Sequence, residues 1–314
     1  MYRSFRKRFE KRFDLKSDDH VQVYLGNRIE HDRVKGTVTV DQEHYVLACL
    51  EKFGLNRCNG VDKPLTSRLT VRDQPETVNI SDQELFRGMV GSLLYLASWT
   101  RPDIAFSVSE LSRFVSNPGK SHLEAAKRVF RYLRKTVSLG LVYRSSASLP
   151  GHPEIQPNVL WGYVDSDWAG CPDSRRSTSG FVFMLNGAAI SWRSKRQPTV
   201  ALSSAEAEFI SASSMVQEVI FLRMFLTNLG FPQTAPTPVF ADNETCIAWS
   251  EGSVGGSDRA KHVDLRMHFV HEARAAGHLQ LLKIESRFNG ADILTKASTS
   301  PDVFLDLRRR LMGH

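Results

Sequence analysis

Cysteine is scarce in this chain, and its few copies do not pair. The four are Cys49, Cys58, Cys171 and Cys246. None stands in a C-x-x-C spacing, which argues against a zinc site or a disulfide framework and favours a reducing compartment. Long hydrophobic runs are lacking as well. No uninterrupted stretch of about 18 apolar residues offers a membrane span. Internal repeats and low-complexity tracts are missing, and no Ser/His/Asp arrangement supplies an activated nucleophile. The N-terminal stretch "MYRSFRKRFEKRFDLK" is basic but not acid-free. Glu10 and Asp14 argue against a mitochondrial presequence. Phe5, Phe9 and Phe13, four apart, predict a helix with one aromatic face.

What is present is ordinary in amount and informative in arrangement. The 314 residues suffice for two domains, and 41% hydrophobic content supports a sizeable core. The net charge of +7 and a pI of about 9.3 point to an anionic partner such as nucleic acid. Residues 21–40 alternate apolar and polar around Lys35-Gly36, predicting a β-hairpin. "QEHYVLACLEKFG" reads as a helix stopped by Gly54. Residues 59–80 read as a polar connecting loop. Residues 81–136 read as three helices. Ser81 and Glu84 open the first as a capping box. The third carries Lys127, Arg128, Arg131, Arg134 and Lys135 around an apolar stripe, a face suited to a phosphate backbone or to plain solvation. Residues 144–158 hold three prolines and several serines and mark a domain boundary. Beyond it the order is three strands, a long helix over 203–229, then strands and helices in alternation, a fold of mixed α/β class.

Four acids sit where those elements end or begin. Asp165 closes the first strand, Glu208 lies in the first turns of the long helix, Asp242 closes the fourth strand, and Asp292 opens a late helix. Carboxylates gathered at one sheet edge repel unless cations lie between them. Hard oxygen donors favour Mg²⁺ or Mn²⁺, and two such ions support phosphodiester hydrolysis without a nucleophilic side chain. Each acid has a plainer use as a turn, cap or helix-dipole residue.

The segments "GYVDSDWAGCPDSRRSTSGFVFMLNGAAISW", "VALSSAEAEFISAS", "ADN", "KHVDLRMHFVHE" and "ADILTKA" resemble, in order and spacing, the RNase H domain of copia-type LTR retrotransposon Pol polyproteins. Upstream, "GTVTVDQEHYVLACLEKFG" and "GMVGSLLYLASWTRPDIAFSVSELSRFVSNPGKSHLEAAKRVFRYLRKT" resemble the stretch after the polymerase hairpin and the link to RNase H. The resemblance covers nearly the whole chain.

It implies an α/β architecture (α+β overall). A truncated reverse-transcriptase palm tail over 1–60 is followed by thumb- or connection-like helices over 61–150. An RNase H-like mixed sheet with flanking helices then occupies 158–314. It implies a D-E-D-D set of Asp165, Glu208, Asp242 and Asp292 holding two Mg²⁺ or Mn²⁺ ions, with Glu206 the alternative glutamate. Asp167 is then local structure. Ser203, Ser204, Arg175 and Arg176, with Lys127, Arg128 and Arg131, would contact an RNA–DNA hybrid. A salt bridge to Asp173 is the competing role for Arg175 and Arg176. The expected activity is cleavage of the RNA strand. The expected partners are the hybrid and the rest of Pol, with no membrane. The expected locations are the cytoplasm, within virus-like particles, and the nucleus. The family's Tyr-x-Asp-Asp hairpin is missing, so polymerase activity is not expected, and Asp18-Asp19 reads as a turn. Ala297 stands where the family usually has proline, Ser257 where it has histidine, and Cys171 where it has an acid. None of these touches the four acids. A non-catalytic nucleic-acid-binding remnant is the alternative. An integrase-type nuclease would place its glutamate last, not second.

Overall fold

The computed structural model describes residues 22–71, 78–145, 156–252, 261–297 and 299–314. The helix expected around Phe5, Phe9 and Phe13, and Asp18-Asp19, lie outside these residues. The expected hairpin is β2 (Asn27–Asp32) with β3 (Thr37–Asp41), turning through Gly36 at φ +62°. Short β1 (Val23–Tyr24) and β4 (Leu141–Arg144) complete an antiparallel sheet in the order β1-β2-β3-β4. The proline-rich stretch thus starts just past a strand the local pattern did not signal. Its four residues pair with β3 across a long separation.

Helix α1 (Glu43–Lys52) ends before Gly54, which sits at φ +67°. Helices α2 (Ile80–Trp99), α3 (Ala105–Ser112) and α4 (Lys120–Lys135) follow. The expected Ser81–Glu84 capping box does not form. Asn79 is the cap, its side chain accepting from the Asp82 N–H at 2.7 Å. Val78 beside it is buried, which anchors the chain entry and leaves Ser81 inside the first turn.

The second sheet holds β5 (Trp161–Asp167), β6 (Thr178–Leu185), β7 (Ala188–Arg196), β8 (Thr237–Ala241) and β9 (Leu279–Lys283), in the order β7-β6-β5-β8-β9. β6 is antiparallel to both neighbours, while β5–β8 and β8–β9 are parallel. This is the mixed sheet of an RNase H-like fold. Asn186 and Gly187 both adopt positive φ, as a two-residue hairpin turn requires. Helix α5 (Ser204–Asn228) covers one face, with α6 (Glu244–Ser250) and α7 (Lys261–Ala275) packed around it. By length and composition α5 is long and apolar enough to cross a membrane, yet half of its most apolar stretch is buried in the fold. It is a core helix. Helix α8 (Pro301–Met312) lies on the opposite face.

Strand β5 buries both its faces, and each face belongs to a different core. Val164 joins Phe181, Phe183, Phe209, Val216 and Leu281 beneath α5. Trp161 and Tyr163 join Val182 and Leu307 in a cluster that runs on through Phe86, Leu93, Ile104, Phe130 and Tyr132. The helices upstream of the proline-rich stretch and the sheet downstream of it therefore share one apolar core. Each large side chain buried there contributes roughly 1.5–3 kcal/mol relative to exposure.

Candidate active site

Parallel pairing of β5 and β8 brings their C-terminal ends to the same sheet edge. β5 ends in Asp165, Ser166 and Asp167, all buried, and half-buried Asp242 follows β8 directly. Asp292 arrives on a 3₁₀ turn, Gly290–Leu294. Asn289 pins that turn to the strand. Its amide donates to the Val164 carbonyl at 3.0 Å, and its carbonyl oxygen accepts from the Ala291 N–H at 3.1 Å. Carboxylate oxygens of Asp165, Asp242 and Asp292 lie within 4.8 Å of one another. Glu208, buried on α5, stands outside that trio but near enough to feel the charges of Asp165 and Asp242. Burial, then the charges of Asp165 and Asp242, push its carboxyl well above the usual carboxylate range, and the Ser166 N–H donates to it. Burial, then the charge of Asp165, raises Asp292 to about 7.

The two candidate glutamates separate cleanly. Ser203 caps α5 by accepting from the Glu206 N–H at 3.1 Å, and Glu206 reaches back to the Leu202 N–H at 2.8 Å. Glu206 thus serves the start of α5, holding the N–H just before the cap, while Glu208 faces the acids. Ser204 is exposed one residue into the helix.

Two neighbours of the acids went unnoticed in the sequence. Lys296 Nζ stands 2.7 Å from Asp292 Oδ1 and 3.5 Å from Asp165 Oδ2. The Thr295 hydroxyl donates to Asp165. The signal was available in "ADILTKA", where Lys296 follows Asp292 by four residues, a spacing that closes ion pairs on a helical turn. Asp167 is local structure, as expected. Its carboxylate takes the Thr178 N–H and the guanidinium of Arg68, a residue in the stretch that had read as a plain loop.

The predicted nucleic-acid residues scatter. Arg175 is exposed and Arg176 half-buried, in a turn closed by bonds to Cys171. Neither takes Asp173. That carboxylate pairs with Arg113 at 2.8 Å and accepts from the Val71 N–H, because the upstream helices lie against this turn. On α4, Arg131 and Arg134 donate to the Asn59 and Asn56 carbonyls, and Lys135 pairs with Asp62. Lys127 pairs with Glu124 on its own helix. Arg128 is half-buried, and its Nε is buried without a hydrogen-bond partner. Much of this face clasps the loop after α1. A second basic feature lies beside α5: a cleft of about 200 Å³ lined by Arg193, Lys195, Arg266, Gln197, Ser213 and Ser214. Arg266 Nη1 and Gln197 Oε1 are buried there without a hydrogen-bond partner.

Comparison with known proteins bears on this geometry. No protein-family model matches the chain. It is 38% identical over 308 residues to the retrovirus-related Pol polyprotein from transposon TNT 1-94 of Nicotiana tabacum, covering 96% of this chain and 22% of that protein. It is 32% identical over 220 residues to the Ty5-1 transposon protein of Saccharomyces cerevisiae, covering 70% of this chain and 68% of that one. The chain belongs to the family of copia-type retrotransposon Pol polyproteins.

It spans about a fifth of the length of the long Pol relatives, 22% of the tobacco protein and 18% of the RE1 polyprotein of Arabidopsis thaliana. Among solved structures, RNase H1 of Halobacterium salinarum covers 44% of this chain with 96% of its own length, at 13% identity and a TM-score of 0.34. LC11-RNase H1, solved with an RNA/DNA hybrid, covers 43% at 15% identity and a TM-score of 0.34.

Proposed function

We propose that this chain is the RNase H part of a retrotransposon Pol protein and cleaves the RNA strand of RNA–DNA hybrids with divalent metal ions. One observation carries the reading: four acids from four separate elements, spread over more than a hundred residues of sequence, converge on one sheet edge. Three of them, Asp165, Glu208 and Asp292, are buried. A fold gains no stability from gathering desolvated carboxylates, because each ionised one raises its neighbours. The arrangement fits hard divalent cations, whose oxygen ligands these are.

Asp165, Glu208, Asp242 and Asp292 would hold Mg²⁺ or Mn²⁺, with Asp165 at the centre of the group. When bound, such ions supply charge at the scissile phosphate and lower the pKa of a water. The chain's own residues do the rest. The carboxylates fix the site, Thr295 and the Ser166 N–H orient Asp165 and Glu208, and exposed Ser204 stands at the start of α5, where a backbone phosphate is favoured. Arg193, Lys195 and Arg266 offer cationic partners to the polynucleotide on the α5 side.

The test is cleavage of an end-labelled RNA–DNA hybrid by the purified full chain with Mg²⁺, beside Asp165→Asn. The expected result is fragments from the RNA strand only, with the variant slowed by more than about a hundredfold. Equal products from both, or none from either, would overturn the reading. Cleavage of the DNA strand instead would favour an integrase-type nuclease.

A further inference from the structure

We propose that Arg68, on the loop upstream of α2, is a positioning residue for the acid site, so that this loop is a working part of the nuclease. The inference rests on the function proposed above and adds a residue from outside the sheet.

Arg68 is an almost fully used fork. Nη2 donates to the Thr295 carbonyl at 2.6 Å and to the carboxylate of Asp167. Nη1 donates to Thr178 Oγ1 at 3.2 Å and to Glu110 Oε1 at 3.3 Å. The guanidinium lies over the Phe106 ring, 4.9 Å from its centroid. Gly170 stands so close that a Cβ there would collide with Asp167 and press on Arg68. Only about a seventh of the Arg68 side chain is exposed, at 14%. A second cation of the same loop acts nearby. Lys63 Nζ donates to the Ala297 carbonyl at 3.1 Å and to that of Thr299. The carbonyls on both sides of Lys296 are therefore held by the upstream loop.

What they hold is the link to the acids. Thr295 gives its hydroxyl to Asp165, and Lys296 reaches Asp292 and Asp165. The backbone here leaves the 3₁₀ turn and has no sheet ladder to restrain it. Its local support is the bonding of the Thr295 and Lys296 N–H groups to the Asp292 carbonyl. Arg68 supplies the missing restraint: guanidinium to Thr295 carbonyl, Thr295 hydroxyl to Asp165. Lysine cannot replace it, since one ammonium lacks the planar set of donors that four acceptors in different directions require.

The test uses the full chain with Arg68→Ala, Arg68→Lys and Thr295→Val, each first checked for folding by circular dichroism. Mn²⁺ affinity is measured by calorimetry, and hybrid cleavage is resolved into kcat and KM. Arg68→Ala is expected to weaken Mn²⁺ binding and lower kcat by about 10–100-fold, the range for groups that orient metal ligands, with KM unchanged. Millimolar guanidinium should restore both, Arg68→Lys should remain impaired, and Thr295→Val should reproduce the loss of Mn²⁺ affinity. Wild-type Mn²⁺ affinity and kcat in Arg68→Ala would overturn the proposal. So would losses that only track the unfolded fraction and ignore guanidinium. Should Arg68→Ala not fold, Arg68→Lys and Thr295→Val decide by the same readouts. If the wild-type chain neither binds Mn²⁺ nor cleaves hybrid, the proposed function falls. Arg68 is then judged by the amide resonances of Thr295 and Lys296: shifts in Arg68→Lys support its positioning role, and unmoved resonances overturn it.

Discussion

Lys296 brings the one cationic side chain seen in ion-pair contact with the four carboxylates, among the described residues. Asp165 and Asp292 both lie within ion-pair distance of it, and their charges hold its ammonium above the usual lysine range despite partial burial. Removing one partner of such a group leaves uncompensated buried charge, which costs about 3–5 kcal/mol. Lys296→Gln should therefore melt markedly lower than wild type in chelator at pH 8, and Mg²⁺ should recover most of the loss; thermal melts with and without Mg²⁺ decide it. Asp292 sets a pH dependence of its own. Its carboxyl is raised to about 7, by burial and then by Asp165, so the folded state keeps the proton longer than the unfolded chain does. The associated stability is complete below about pH 4, the ordinary carboxyl range, and is lost as pH rises toward 7. Urea midpoints in chelator should fall over that window, and Asp292→Asn should flatten the fall. An identical slope in the variant would remove Asp292 as its cause.

Elements carry the next set of expectations. Along α5 the two glutamates of "AEAEF" have opposite duties, one at the cap and one among the acids. Glu206→Gln should lower stability by about 1 kcal/mol or less and keep cleavage within a few-fold, while Glu208→Gln should lose cleavage; comparable kcat values for the two would refute the division. The sequence showed both residues but ranked them only by resemblance, since the cap becomes visible once Leu202 and Ser203 are placed. Helix α4 shows the converse. Its basic stripe was plain in the sequence, but its partners were not, because the Asn56 and Asn59 carbonyls belong to a loop some seventy residues away. Arg131→Ala should thus cost stability with little change in the salt dependence of hybrid binding. Arg193→Ala with Arg266→Ala should shallow that dependence by about one unit per lost phosphate contact. Binding isotherms over a salt series, run in the Asp165→Asn background, measure both.

At the scale of the molecule, one apolar cluster spans the upstream helices and the sheet, and a polar network is sealed inside it. Arg101, fully buried, forks onto Asp103 at 2.8 and 2.9 Å and reaches Thr136. The Tyr132 hydroxyl donates to Asp103 at 2.6 Å, and Arg308 on α8 donates to that hydroxyl. Truncating Tyr132 to Phe strips Asp103 of one donor inside the core, a loss of about 1–3 kcal/mol. Unfolding followed by tryptophan fluorescence and by far-ultraviolet dichroism should trace one transition; two separate midpoints would break the shared core into independent units. The order and type of most elements were legible because hydrophobic period, Asn-Gly and Gly stops are local signals. All four acids could be placed at strand ends or helix starts for the same reason, although Asp292 opens a 3₁₀ turn instead of a longer helix. β4, the Arg68 loop and the union of the two halves were not legible, since each depends on pairing between residues far apart in the chain.

The part-buried link between Tyr132 and Arg308 has a consequence for inheritance. A retroelement that exchanged the part downstream of the proline-rich stretch for another's by recombination there would join an α8 and a set of upstream helices never selected together. Arg308 would face an unfamiliar hydroxyl, and the acids would lose the loop that holds their turn. The acid-bearing sheet and the helices ahead of it should therefore pass between elements as one cassette, with viable crossovers falling outside both rather than at the boundary that composition marks.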